Sequence, residues 1–409
     1  MFQEKIVCGL DLGSQCIKAG LLRIKDPRRP DLVGVCENKV YGFKDFSVLD
    51  LGELSECVHL LVNQLSKKTG YSIKDVQLGI CSGLAELREA NTVIPLVDRG
   101  NKVIAKRDIK RVNTQARLLG VNMEEEILHE VSHYYRVDDV NFARNPLGLY
   151  GRKLGVYSTM IVSDSSRLQN IIKAIHQAGY DTSHIFLSSY AASEVVLAEQ
   201  DRQEGVALVD IGATQTTLLV FKERHLRVFK KIHIGGNDFT KNIANTLNLS
   251  FDLAEEIKKS YASVLKEENQ QGEEILVKKD DTYLPVKKER INTAIETVIK
   301  RLVHSIFSLI ETTGFADQLN NGMVVIGGGS MLPGLIEKIG QGINVPVQSG
   351  QIQLNATKKL SNTALFSSVV GLAHMSFNTD YKVDQAYQEP TSFLNSVTNR
   401  ICELYQDYF

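Results

Sequence analysis

The chain has 409 residues, 43% hydrophobic and 23% charged, the balance of a globular protein with room for two or more domains. A formal net charge of −1 gives no electrostatic footing for nucleic acid, and no nucleic-acid partner is expected. The six cysteines lack CxxC pairing and histidines at zinc spacing, so they read as reduced cytosolic thiols. Asp11 and Lys18 interrupt the opening stretch, which is therefore no signal peptide, and no apolar run approaches the ~20 residues that cross a bilayer. Any membrane contact is expected to be peripheral.

The first elements are a strand pair over residues 7–22, VCGLDLGSQCIKAGLL, turning at Gly13, where a tight turn calls for φ > 0. KDPRRP at 25–30 follows as a charged turn. Leu51, Leu54, Val58, Leu61, Val62 and Leu65 lay one stripe on a helix over 48–68, which Gly70 stops. A short strand at 76–80 completes a βββαβ unit over 6–82. Strand-like pieces at 87–96 and 103–104 come next. A helix at 108–119 follows, with Asp108 as candidate N-cap. Residues 124–137 read either as a helix or as an exposed strand; 145–154 is a Pro/Gly-rich loop and 155–163 a strand. Residues 85–163 thus form a small inserted α+β domain. A helix at 165–178 ends at Gly179 and leads to a strand at 185–187 and a small-residue helix at 191–198.

The opening pattern then returns. Residues 206–221, VALVDIGATQTTLLVF, again place Asp–aliphatic–Gly between two apolar strands. A strand at 227–234 breaks at Gly235 and Gly236, and helices follow at 238–247 and 251–262. The charged, Gln-rich stretch 266–288 reads as an exposed hairpin or a mobile loop. A long helix over 290–314 carries an apolar stripe at Ile291, Ile295, Val298, Leu302, Ile306 and Leu309. Residues 323–333, MVVIGGGSMLP, run from strand into a glycine turn. A helix from Leu335, a strand at 345–347 and a final core helix at 362–375 close the fold. Beyond it lie a polar linker, 378–390, and a segment with Phe393, Leu394, Val397, Ile401, Leu404, Tyr405, Tyr408 and Phe409 at helical spacing. That segment is either a terminal helix docked on the core or an interfacial membrane helix. Its polar face sets Arg400 against Glu403 and Asp407, so apolar burial alone would carry membrane affinity.

A strand-end carboxylate is costly unless paired or bound to a cation, and a turn-capping role is the alternative for either aspartate alone. The matched pair Asp11 and Asp210 reads as a site for water-shelled Mg²⁺. Gly13, Ser14, Gly212, Ala213 and Thr214 would offer backbone or hydroxyl donors to phosphates, with Gln15 beside them and Lys18 as a point charge. Gly327, Gly328 and Gly329, with Met331 just after, would let a flat ring or a phosphate approach closely; Gly235 and Gly236 are a weaker case. Glu255 and Lys258 share a helix face, where a solvated ion pair is the plain reading. No catalytic triad or histidine metal motif is present.

DLGSQCIK, VDIGATQTT and VVIGGGSMLPG, in that order, resemble the two phosphate loops and adenosine motif of the actin/Hsp70/hexokinase ATPase superfamily. Within it the chain resembles the FtsA family of bacterial cell-division proteins, through NPLGLYGRKLGV, LLVF ahead of GGNDFTKNIA, DLAEEIKKSYA, the linker and the terminal segment. The resemblance implies a two-lobed actin-like α/β fold with ATP and Mg²⁺ in the cleft and a small α+β insertion. By motif match Asp11, Gly13, Ser14, Lys18, Asp210, Gly212 and Thr214 would face phosphates and metal. Glu255, Lys258, Gly328 and Gly329 would face the nucleoside. It further implies filaments of the chain beneath the cytoplasmic membrane at the division site. There the terminal segment would bind the membrane and the tail peptide of FtsZ would dock on residues 250–315; further divisome partners would fit the same picture.

The expected division is a first lobe at 1–84 and 164–205 around the insertion 85–163, and a second lobe at 206–249 and 316–377 around a small subdomain at 250–315. A linker at 378–390 and an amphipathic helix at 391–409 complete it. Two departures from the family pattern stand out. Ser188 and Ser189 replace an acidic or amide residue and a proline, so hydrolysis is expected to be slow or absent, and Asn242 stands where Asp is usual. The alternatives are a scaffold resembling the pilus-assembly protein PilM, whose relatives lack the linker and terminal helix, and a small-molecule kinase of the same superfamily.

Overall fold

The computed structural model describes residues 4–25, 30–96, 103–138, 141–265, 273–279, 282–343, 345–353 and 362–376. One strand plan is used twice. The first sheet runs, edge to edge, Asp181–Leu187, Asp75–Ile80, Lys5–Leu12, Cys16–Ile24 and Asp31–Lys39. The second runs Val347–Ser349, Met323–Ile326, Val206–Ile211, Thr216–Lys222 and His225–Ile232. In each, three antiparallel strands led by an Asp-bearing hairpin continue into parallel strands on the other side. Buried parallel strands read as nearly unbroken apolar runs, which is the texture of Val76–Ile80 and Met323–Ile326.

Both hairpins close in the same way. Gly13 N–H donates to Cys16 O at 3.2 Å and Gly212 N–H to Gln215 O at 2.9 Å. Two sequence expectations are corrected here. Neither glycine adopts a positive φ. Each is small because a Cβ would stand 2.7 Å from Cys16 O or 2.9 Å from Gln215 O. Their N–H groups are spent inside the turns, so these two are not anion donors.

The first sheet carries helix Leu51–Thr69, capped by Asp50 through the Glu53 N–H and ended by Gly70 at φ 76°. Helix Thr363–Met375 crosses its other face so closely that a Cβ on Gly9 would lie 2.2 Å from Val369 O. The same helix lies against Ser188–Val196, where a Cβ on Gly371 would meet Ala191 O at 2.0 Å. One apolar core extends from the first sheet to Leu208, Leu219 and Phe221 of the second, joining the lobes below their cleft. A second core fills the outer side of the second sheet and includes Ile291, Ile295, Leu302 and Ile306 of the long helix Lys288–Thr313.

Residues 85–164 form a sheet in the order Ala85–Pro95, Lys153–Asp164, Glu125–Val137, Asn141–Ala143, with helix Lys106–Gly120 packed on it through Val112 and Ala116. The stretch near 124–137 is therefore strand. Asp108 is not the N-cap: it lies inside the first turn and accepts the Ala105 N–H at 2.9 Å. The small-residue helix begins at Ser188, three residues before its apolar pattern announces it. In the polar stretch 266–288, Glu274–Lys279 pairs with Thr282–Lys287 as an antiparallel ladder. Among the described residues no helix is long and apolar enough to cross a membrane. The linker 378–390 and the segment 391–409, with all eight expected membrane-facing residues, lie outside the described residues.

Candidate functional site

The two hairpin tips face each other: Thr214 Oγ1 donates to Ser14 Oγ at 3.0 Å across 200 residues of sequence. Deeper down, Gln215 Nε2 donates to Ser82 Oγ at 2.5 Å and Ser82 Oγ lies 2.5 Å from Thr217 Oγ1, a second tie between lobes. Around these ties opens a cavity of about 370 Å³. Asp11, Gly13, Ser14, Gln15, Lys18, Asp210, Gly212, Ala213, Thr214, Gly236, Glu255, Lys258, Gly327, Gly328, Gly329 and Met331 all line it. Gly235 does not. It packs on the hairpin tip, where a Cβ would stand 2.6 Å from Ala213 O, and its N–H goes to Asp238 Oδ2. Asn242 lies outside the lining and donates to Asp238 O within its own helix.

The glycines divide into two kinds. Gly329, like Gly13 and Gly212, is demanded by the protein's own backbone and side chains: a Cβ there would lie 2.4 Å from Ile211 Cγ2. Gly327 is demanded by conformation, φ 91°, and a Cβ would collide with Asp210 Oδ1 at 2.4 Å. Gly236 and Gly328 are demanded by neither. An added methyl would meet nothing nearer than 3.5 Å in either place, and both positions face the cavity.

The aspartates differ sharply. Asp11, only 6% exposed, accepts Ser188 Oγ on Oδ1 and Ser368 Oγ on Oδ2, each at 2.6 Å, with Lys18 Nζ 3.8 Å from Oδ2. The side chain of Asp210 accepts no hydrogen bond among the described residues. Burial pushes its carboxyl up to about 6, opposed by Lys18 and reinforced by Asp11.

Glu255 and Lys258 are not a solvated pair. Glu255 Oε2 receives Lys258 Nζ at 2.6 Å and Thr240 Oγ1 at 2.5 Å, and Lys258 also reaches Gly236 O at 3.0 Å. Burial raises the Glu255 pKa, but the Lys258 and Thr240 hydrogen bonds outweigh it, so the net direction is down; burial moves Lys258 down as well. This network fixes helix Phe251–Tyr261 against the start of helix Gly236–Leu247. Among the described residues no group of three or more His, Cys, Asp or Glu is clustered for a metal.

Several partners of the site escaped the sequence reading. Ser368 sits on the last described helix and carried no signal. Ser188 read only as a missing residue, yet it holds Asp11. Lys39 on the first lobe donates to Asp252 Oδ1 at 2.8 Å on the second, an exposed tie near the cleft that only the fold brings together.

Two sheets of one plan closing on a glycine-lined cleft define an actin-like protein. The chain is similar to a PilM–PilN type IV pilus biogenesis complex chain at a TM-score of 0.64 and 17% identity, covering 91% of this chain and 98% of that one. It is similar to MreB5 of Spiroplasma citri, solved bound to ADP, at a TM-score of 0.53 and 13% identity, covering 94% and 99%. These likenesses establish the fold: an actin-like α/β fold with an inserted domain. The family model of the cell division protein FtsA matches residues 207–371, and that of the SHS2 domain inserted in FtsA matches 87–162, together more than half of the chain. The chain is 27% identical to the cell division protein FtsA of Buchnera aphidicola over 91% of each chain, and 26% identical to that of Pseudomonas aeruginosa over 90% of this chain and 88% of the other. The chain belongs to the FtsA family of cell-division proteins.

Proposed function

We propose that the chain binds ATP with Mg²⁺ in the interlobe cleft, assembles with further copies of itself at the cytoplasmic face of the membrane, and tethers the tail peptide of FtsZ there at the division site. The observation that carries the nucleotide part is the pair Gly236 and Gly328, whose missing side chains leave room that no protein atom uses. The donor set fits the ligand. Lys18 and Lys258 bring positive charge to the cleft, and Asp210 is a carboxylate raised by burial and without a donor among the described residues, which a cation would relieve. Bound Mg²⁺ would neutralise charge between that carboxylate and phosphate oxygens. Asp11, with both oxygens already engaged, holds Lys18 and the hairpin in place rather than offering a free ligand edge. Ser188 fills the place of a water-orienting side chain with a hydroxyl committed to Asp11, which favours slow hydrolysis.

The family membership, the self-associating class of fold and the apolar periodicity of residues 391–409 support the tether. In this reading 85–163 is a separate insertion and the subdomain 250–315 presents the FtsZ-docking face. The test is co-pelleting of the full chain with lipid vesicles and FtsZ tail peptide, with and without ATP, beside a chain lacking residues 392–409. Pelleting of the peptide with the full chain, loss of pelleting on truncation and retained ATP binding are expected. Unchanged pelleting of the truncated chain would sink the tether.

A further inference from the structure

One contact of the inserted domain with the first lobe is made by a buried histidine. His129, in strand Glu125–Val137, is 5% exposed, and its ring lies 5.6 Å from that of Phe186 and 4.6 Å from that of Tyr190, both on the first lobe. Its Nε2 accepts the Leu187 N–H at 2.8 Å, so the ring proton belongs on Nδ1. That Nδ1 is buried and has no hydrogen-bond partner among the described residues, an arrangement that costs stability. Leu187 is the residue immediately before Ser188, whose hydroxyl holds Asp11 Oδ1 at 2.6 Å. The insertion is also gripped from the other lobe, where Lys231 Nζ donates to Ala85 O at 2.9 Å and Glu86 Oε1 at 2.7 Å.

We propose that His129 is a positioning residue that couples the inserted domain to the nucleotide cleft: by holding the Leu187 N–H it sets the place of Ser188 and, through that hydroxyl, the orientation of Asp11. This role rests on the nucleotide reading above and gives that site a regulatory input. Whatever docks on the insertion and shifts strand Glu125–Val137 reaches the cleft through two hydrogen bonds joined by one peptide bond. Burial keeps the imidazole neutral, with its pKa lowered to about 3, so the ring remains an acceptor at every physiological pH.

The experiment uses the full chain and its variants H129L, H129Q, S188A and H129L/S188A, titrated with a fluorescent ATP analogue and monitored for unfolding midpoint. H129L removes the acceptor and is expected to weaken binding by about tenfold, the scale of a misplaced charged contact. Gln places an oxygen near the former Nε2, so H129Q should recover most of that loss. The double variant should bind no more weakly than H129L alone, because both changes release the same carboxylate. A purely structural histidine would lower the midpoint with unchanged affinity, or give additive losses, and either result overturns the coupling. Should H129L fail to fold, the imidazole nitrogen resonances of the unsubstituted chain decide the matter: they shift on addition of ATP if the relay exists and stay fixed if it does not. Failure of the unsubstituted chain to bind ATP would remove the nucleotide reading and the coupling together. Intact binding in H129L removes the coupling alone.

Discussion

The two hairpins share strand plan, turn closure and an Asp–aliphatic–Gly sequence, yet their aspartates live in opposite electrostatic worlds. Asp11 is held by two serine hydroxyls and approached by a lysine, whereas Asp210 has no donor among the described residues and its carboxyl stays raised by burial despite the opposing charge of Lys18. A duplicated motif therefore does not imply a duplicated role. The first copy has been built into the protein's own scaffold by helices Ser188–Val196 and Thr363–Met375. The second has been left exposed to whatever enters the cleft.

That asymmetry can be broken at either end. The largest effect on stability is expected for Asp11→Ala, which strands the Ser188 and Ser368 hydroxyls in a buried setting and should cost about 3 kcal/mol in denaturant unfolding. A loss within the range of an ordinary surface substitution would show that the serine clamp is incidental. Asp210→Asn should act in the opposite direction. Its carboxyl titrates near 6 in the folded chain against a usual value of 3.8, so the folded state binds the extra proton between those values. Stability without nucleotide should accordingly fall as pH rises from about 4 to about 6, by about 2 kcal/mol. The Asn variant should lack that slope and be the more stable protein at neutral pH. Identical pH profiles for parent and variant would contradict the assignment of an unrelieved carboxylate.

Much of the fold was legible in the chain because each hairpin advertises itself locally, with apolar strands on both sides of a short polar turn. Capping residues likewise marked helix ends at Gly70 and Gly179, which take φ of 76° and 93°. The clamp on Asp11 was not legible, because its partners are serines 177 and 357 residues away, and serine in a helix leaves no periodic signal. His129 was hidden for the same reason: its partner is a backbone N–H 58 residues distant. Gly235 and Gly236 looked equivalent in sequence. Adjacent residues point in different directions, and only the second opens on the cleft. The glycine turns misled in backbone handedness and in the expected use of their N–H groups. Tight closure demanded small residues at Gly13 and Gly212 for steric room, not for backbone handedness.

The smallest effect on stability is expected at the two glycines that a methyl would fit. Ala at Gly236 and Gly328 should change unfolding by no more than about 0.5 kcal/mol, since each methyl meets only ordinary contacts. The most direct measurement is then a calorimetric titration of Mg-ATP into the unsubstituted chain and into the G236A/G328A variant at matched stability. Saturable binding to the former and a loss of at least about tenfold in the latter is the predicted result. Equal affinity in the two, or no binding to the unsubstituted chain, would contradict a nucleotide held between the hairpins.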